Sequence, residues 1–160
     1  MKIRSVICNN RKKAFQVKSV QGTLFLPYSH VDVRPSSNDP VARIFVDKEL
    51  GEEGFTYVLA SGKGGTVHSE QVLDYNQDPS FLRDMLLYKL TLEAKKRIKK
   101  SPLSKREIIR RLRTSATQLY RLLDQTNYRK SVDQLLSLLH VLGCDIDLLV
   151  KSRRAPGKAA

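Results

Sequence analysis

The sequence predicts an α+β protein: a small antiparallel β domain followed by a helical domain. Three observations predict it. Short apolar–polar alternations, separated by Gly, Pro and Asn clusters, fill residues 1–78, which is the pattern of half-buried strands. From residue 79 the period lengthens to that of helices, and three Ser-led caps open three amphipathic stretches. The charge is divided just as unevenly. Residues 1–80 hold 10 basic and 9 acidic side chains, whereas 81–160 hold 19 and 7, so nearly all of the net +13 belongs to the second half. The expected organisation is a β-rich domain at 1–78, serving partner binding or dimerisation, a helical domain at 79–151, and a basic disordered tail at 152–160.

The strands come first. Residues 2–8 set Ile3 and Val6–Ile7 among polar neighbours, and 14–19 (AFQVKS) alternates. Gln21–Gly22 separates 14–20 from 23–26 (TLFL), a two-residue hairpin signal. Pro27, Pro35 and Pro40 bracket a loop, after which Ala42–Val46 forms a short apolar run. Phe55–Ala60 and Thr66–His68 flank Ser61–Gly65 (SGKGG), a glycine-rich turn between two strands. Gly62–Thr66 does not satisfy a phosphate loop, because Lys63 is followed by Gly and a strand rather than by Ser or Thr and a helix. Five or six strands are expected, mostly antiparallel, with little helix before residue 79.

The helices follow. Asp78–Pro79 is a start signal, Asp as N-cap and Pro at the first helical position. Leu82, Leu86, Leu90, Ala94 and Ile98 then recur at every fourth position as the expected buried stripe, and the basic last turns end at Pro102. Ser104–Glu107, Ser115–Gln118 and Ser131–Gln134 each match a capping box. The expected buried sets are Ile108, Ile109 and Leu112; then Leu119, Leu122 and Leu123; then Val132, Leu135, Leu136, Leu139 and Leu142. Gly143 is placed as a left-handed C-cap, and the alternation from Cys144 to Val150 predicts a final strand.

Only Arg113 and Thr114 separate the helices that start at Ser104 and Ser115, which forces a sharp angle and predicts a helix-turn-helix. On the second of these helices Thr117, Gln118, Tyr120 and Arg121 lie opposite Leu119, Leu122 and Leu123. Their hydroxyl, amide and guanidinium groups are those that read base edges, and the major groove, about 12 Å wide, accepts one helix. Ser104–Leu123 (SKREIIRRLRTSATQLYRLL), with the loop and helix after it, resembles the Xre family, which includes the Cro and lambda-type repressors. The resemblance covers roughly residues 84–143. It implies a recognition helix at about 115–124, base contacts from Ala116, Thr117, Gln118 and Arg121, and phosphate contacts from Lys105, Asn127, Arg129 and Lys130. Ser115 and Tyr120 are assigned as further phosphate contacts, with packing as the alternative for Tyr120. Where the family has a small Ala this chain has Ile109, and where it has Gly in the turn this chain has Arg113. A left-handed arginine costs on the order of 1 kcal/mol, so the turn is expected to be opened or built differently.

The function expected is that of a sequence-specific DNA-binding transcriptional regulator, a repressor, working on double-stranded DNA as a homodimer. Ser131–Val150 resembles antitoxins of toxin–antitoxin pairs, so the alternative is an antitoxin whose β half binds a cognate toxin while the helical half represses its own operon. RNA binding is the third reading. Phe15, Phe25, Phe45, Phe55 and Tyr57 sit on strands, but their alternation points to a core first. No enzyme is expected, since no nucleophile–base pair stands out and His30 and His68 lack ligand-spaced neighbours. No cofactor or metal is expected. Two cysteines, no long apolar run and no leader-like start together predict a cytoplasmic protein, nucleoid-associated when bound to DNA, with no membrane partner.

Overall fold

The computed structural model describes residues 1–152. Among the described residues the protein is α+β, with two three-stranded antiparallel sheets and five α-helices. It divides into two compact units, Met1–Arg83 and everything from Asp84 on. The basic tail expected at 152–160 lies, from residue 153, outside the described residues.

In the first unit, strands β1 (Ile3–Asn9), β2 (Ala14–Ser19) and β3 (Gly22–Pro27) form one sheet in that order. Strands β4 (Val41–Val46), β5 (Gly54–Leu59) and β6 (Gly64–His68) form the other. The β2–β3 hairpin closes on the Ser19–Gly22 pair, with the Ser19 hydroxyl accepting from the Gln21 N–H at 3.1 Å. Each sheet turns its alternate residues into one core, where Phe15, Phe55 and Tyr57 are buried. The Phe15 ring centroid lies 4.8–5.1 Å from those of Tyr28, Phe55 and Tyr57. These tilted and edge contacts each add about 0.5–1.5 kcal/mol beyond area burial. The glycines after Lys63 are explained by this packing: a Cβ on Gly64 would stand 2.2 Å from the Tyr57 carbonyl oxygen. Close strand approach, and not phosphate binding, requires the missing side chain.

Helix α1 (Ser69–Asn76) was not expected from the sequence. It runs on from β6 without a Gly or Pro between them and packs on β3 and β6 through Val72 and Leu73. The Asn76 amide fixes it by donating to the Phe25 carbonyl at 2.9 Å.

The second unit holds α3 (Lys105–Arg111), α4 (Ala116–Leu123) and α5 (Val132–Val141), preceded by most of α2 (Pro79–Lys100). The Asp78 carboxylate accepts from the Phe81 N–H at 2.9 Å and caps α2 as expected. The expected stripe of α2 needs correction. Leu82 and Leu86 are 37 % and 45 % exposed, and the buried residues are Leu87, Thr91 and Ala94, with Leu90 and Ile98 packed partly against the same core. A strict fourth-residue repeat drifts by about 40° per step on a helix of 3.6 residues per turn, so it cannot stay on one face. Thr91 is accommodated because its hydroxyl donates to the Leu87 carbonyl at 2.6 Å. On α5 the inward residues are Leu135, Leu138 and Leu139, whereas Leu136 faces solvent.

The strand expected at Cys144–Val150 does not form; these residues have no regular secondary structure. An alternating pattern makes a strand only where an edge is present to pair with it.

Candidate nucleic-acid interface

Three caps position the helices of this region. Ser104, Ser115 and Ser131 each accept a backbone N–H three residues on, from Glu107, Gln118 and Gln134, at 3.2, 3.2 and 3.3 Å. The reciprocal half of the box at Ser104 is not used. The Glu107 carboxylate instead takes Arg110 in a two-pronged bond at 2.6 and 2.9 Å and Arg111 at 2.8 Å. Those bonds pull the Glu107 carboxyl down to about 2. They also balance part of the charge of Arg110 and Arg111, leaving Lys105 and Arg106 as the cations of α3 that no carboxylate holds among the described residues.

Between α3 and α4 the chain turns at Arg113, whose φ is +52°. The turn expected to be opened or built differently is therefore corrected: arginine adopts the left-handed conformation that glycine would. The Arg113 N–H donates to the Arg110 carbonyl and the Thr114 N–H to that of Ile109, both at 3.1 Å, which is a Schellman ending. Two otherwise orphaned carbonyls gain donors, and these offset a strain of about 1 kcal/mol. Gly143 ends α5 in the same way, at φ +73°.

Leu119 and Leu122 hold α4 in the core, while Ala116, Thr117, Gln118, Tyr120 and Arg121 are exposed. At about 100° per residue these five span one continuous arc, with Thr117 and Arg121 stacked one turn apart at its centre. Tyr120 carries the Lys105 ammonium 5.5 Å from its ring centroid, a cation–π pair joining α3 to α4. Ser115 is exposed as well; its oxygen accepts the cap bond, and its O–H proton stays available to donate.

The loop after α4 is organised by its own side chains. Asp124 accepts the Thr126 N–H at 2.9 Å and its hydroxyl at 2.8 Å, which lowers the Asp124 carboxyl. Asn127 donates to the Arg121 carbonyl at 3.2 Å and accepts from the Arg129 N–H at 3.1 Å. Lys130 is only 9 % exposed, and its ammonium donates to the carbonyls of Leu122 at 3.0 Å and Asp124 at 2.5 Å. The phosphate contact expected of Lys130 does not fit this placement, because the residue caps the C-terminal end of α4. Asn127 gives its oxygen and one amide N–H to the loop, and its second N–H has no partner among the described residues. Arg129 is exposed, and no carboxylate holds it among the described residues.

An open cleft of about 790 Å³ lies between α4 and the first turns of α5. Arg113, Arg121 and Arg129 line it together with Gln118, Gln134 and Ser137, and Asp124 is its one acidic residue. Gln134 and Ser137 were missed from the sequence. Gln134 reads there as a capping residue, and nothing local tells that its side chain shares a wall with Gln118. Arg113 reads as a conformational anomaly, and its charge gains a place only once the turn is built. Among the described residues no group of His, Cys, Asp and Glu could hold a metal ion, and no helix is long and apolar enough to cross a membrane. Comparison with protein-family models, curated proteins and solved structures gives no match. The functional reading rests on the geometry of residues 104–137.

Proposed function

We propose that α3 and α4 form a helix-turn-helix of the Xre kind and that the protein is a sequence-specific DNA-binding regulator, acting as a repressor with the chromosome in the cytoplasm. The observation that carries this reading is the exposed arc of α4. A helix whose free face holds a hydroxyl, an amide and a guanidinium, with no apolar stripe to cover, suits a groove about 12 Å wide. Thr117, Gln118 and Arg121 read base edges, and Ala116 meets a thymine methyl. Lys105, Ser115, Tyr120 and Arg129 hold phosphates and set the register. Arg113 adds charge beside them.

The working unit is a homodimer on two half-sites about one helical turn apart. The pairing element is Cys144–Val150, whose alternating apolar residues lack a strand partner among the described residues.

Selection of bound duplexes from a random pool tests the reading. A defined motif should emerge. On that motif Arg121→Ala should weaken binding by about 1–3 kcal/mol while affinity for unrelated duplex stays the same. A pool without enrichment, or an equal loss on every sequence, overturns the base-reading role.

A further inference from the structure

The β unit carries a second cleft, of about 690 Å³, far from neutral in its lining although residues 1–80 are nearly balanced in charge. Lys12 and Lys13 from the β1–β2 turn and Arg34 from the loop before β4 face it, and its lining contains no acidic residue. Among the described residues none of the three cations has a carboxylate within ion-pair distance. Asp32, two residues before Arg34, makes no ion pair with it among the described residues, and the Asp39 carboxylate is engaged elsewhere: it accepts the Ser61 N–H at 2.8 Å and the Ser61 hydroxyl at 2.7 Å.

The turn that carries the two lysines is held in place. The Lys12 N–H donates to the Asn9 side chain at 3.0 Å, and the Lys12 ammonium sits 4.4 Å from the Phe25 ring centroid. Lys13 adopts φ +48°, and its carbonyl accepts the Tyr28 N–H at 2.9 Å. A lysine kept in that conformation without a carboxylate partner is strained and unpaired at once. Beneath it, the Tyr28 hydroxyl donates to the Asn10 side-chain oxygen at 2.9 Å, leaving the Asn10 amide N–H groups for a ligand. Pro27, Pro35 and Pro40 share the lining with a largely buried Tyr28, so the cleft carries apolar side chains beside its cations.

We propose that this cleft binds a phosphate-bearing small molecule of nucleotide size. Lys12, Lys13 and Arg34 take the phosphates, and the apolar side chains beside them take the ring. The volume falls in the range of about 300–1,000 Å³ usual for small-molecule sites. Inorganic phosphate alone would leave those apolar side chains unused. The inference does not depend on the DNA reading, since every residue it uses belongs to the β unit.

Calorimetric titration of the full chain with ATP tests it. Saturable one-to-one binding is expected, weakened at least about tenfold by Arg34→Glu and by Lys12→Glu, with inorganic phosphate at least about tenfold weaker than ATP. All these side chains are exposed, and thermal melts of the variants check that the fold is kept. Lys18→Glu changes the net charge outside the cleft and should leave ATP binding nearly as it was, as should Arg121→Ala, whose defect is confined to duplex binding. No saturable ATP binding at millimolar concentration overturns the proposal. So does an equal loss in Lys18→Glu and Arg34→Glu, or a ten-nucleotide oligo(dT) that binds through Arg34 when ATP does not.

Discussion

Lys130 shows how a charged residue in a basic segment can be structural. Its position in the loop after α4 suggests a phosphate contact, yet its ammonium is turned inward to two carbonyls at the end of that helix. Burial draws the amine below the usual lysine range, against the opposing pull of Asp124. Cations suit a helix C-terminus because the last carbonyls carry partial negative charge. Lys130→Met keeps the aliphatic stem and removes the donors. Two carbonyls then lose their partner, and stability should fall by about 1–3 kcal/mol in urea denaturation. If Lys130 were a phosphate ligand only, the variant would melt like the parent and lose affinity alone.

Among the elements, α3 offers a pH-dependent test. The Glu107 carboxyl, drawn to about 2 by Arg110 and Arg111, is charged in the folded chain over a range where the unfolded chain protonates it near 4.5. A depressed folded value contributes stability that is fully present above the unfolded value and is lost as pH falls through the folded one. Between pH of about 4.5 and about 2 the urea midpoint should drop more steeply in the parent than in Glu107→Gln. Equal slopes would remove the pair from the account of α3. The elements also differ in how much of them the sequence makes legible. Ser104, Ser115 and Ser131 are readable because capping is local chemistry, complete within four residues. Helix α1 is not, since only Ser69, Val72 and Leu73 are buried and its left-handed end falls on Gln77 instead of glycine. The exposed face of α4 follows from its period alone. The wall shared by Gln118 and Gln134 needs the angle between two helices, which no single stretch encodes.

At the scale of the whole molecule, the proposed homodimer turns on Cys144–Val150. Leu148 and Val150 are 82 % and 80 % exposed, and Ile146 and Leu149 lie open beside them. Among the described residues the backbone there makes no strand pairing, and the Leu148 N–H donates to the Asp147 side chain at 2.8 Å. Unpaired segments of alternating apolar residues are templates for another strand. Pairing with its own copy in antiparallel sense gives a twofold axis, the symmetry that two half-sites on a duplex require. Leu148→Asp with Val150→Asp puts two like charges on each strand of such a ribbon, without touching the core that Leu135, Leu138 and Leu139 form. Sedimentation of the parent at tens of micromolar should give a dimer and the double variant a monomer. On a two-half-site duplex the variant should lose about 10²- to 10⁴-fold in affinity, the loss of a linked second site, while a single half-site binds both proteins equally. A parent that sediments as a monomer, or a variant that stays dimeric, would move the contact away from this segment.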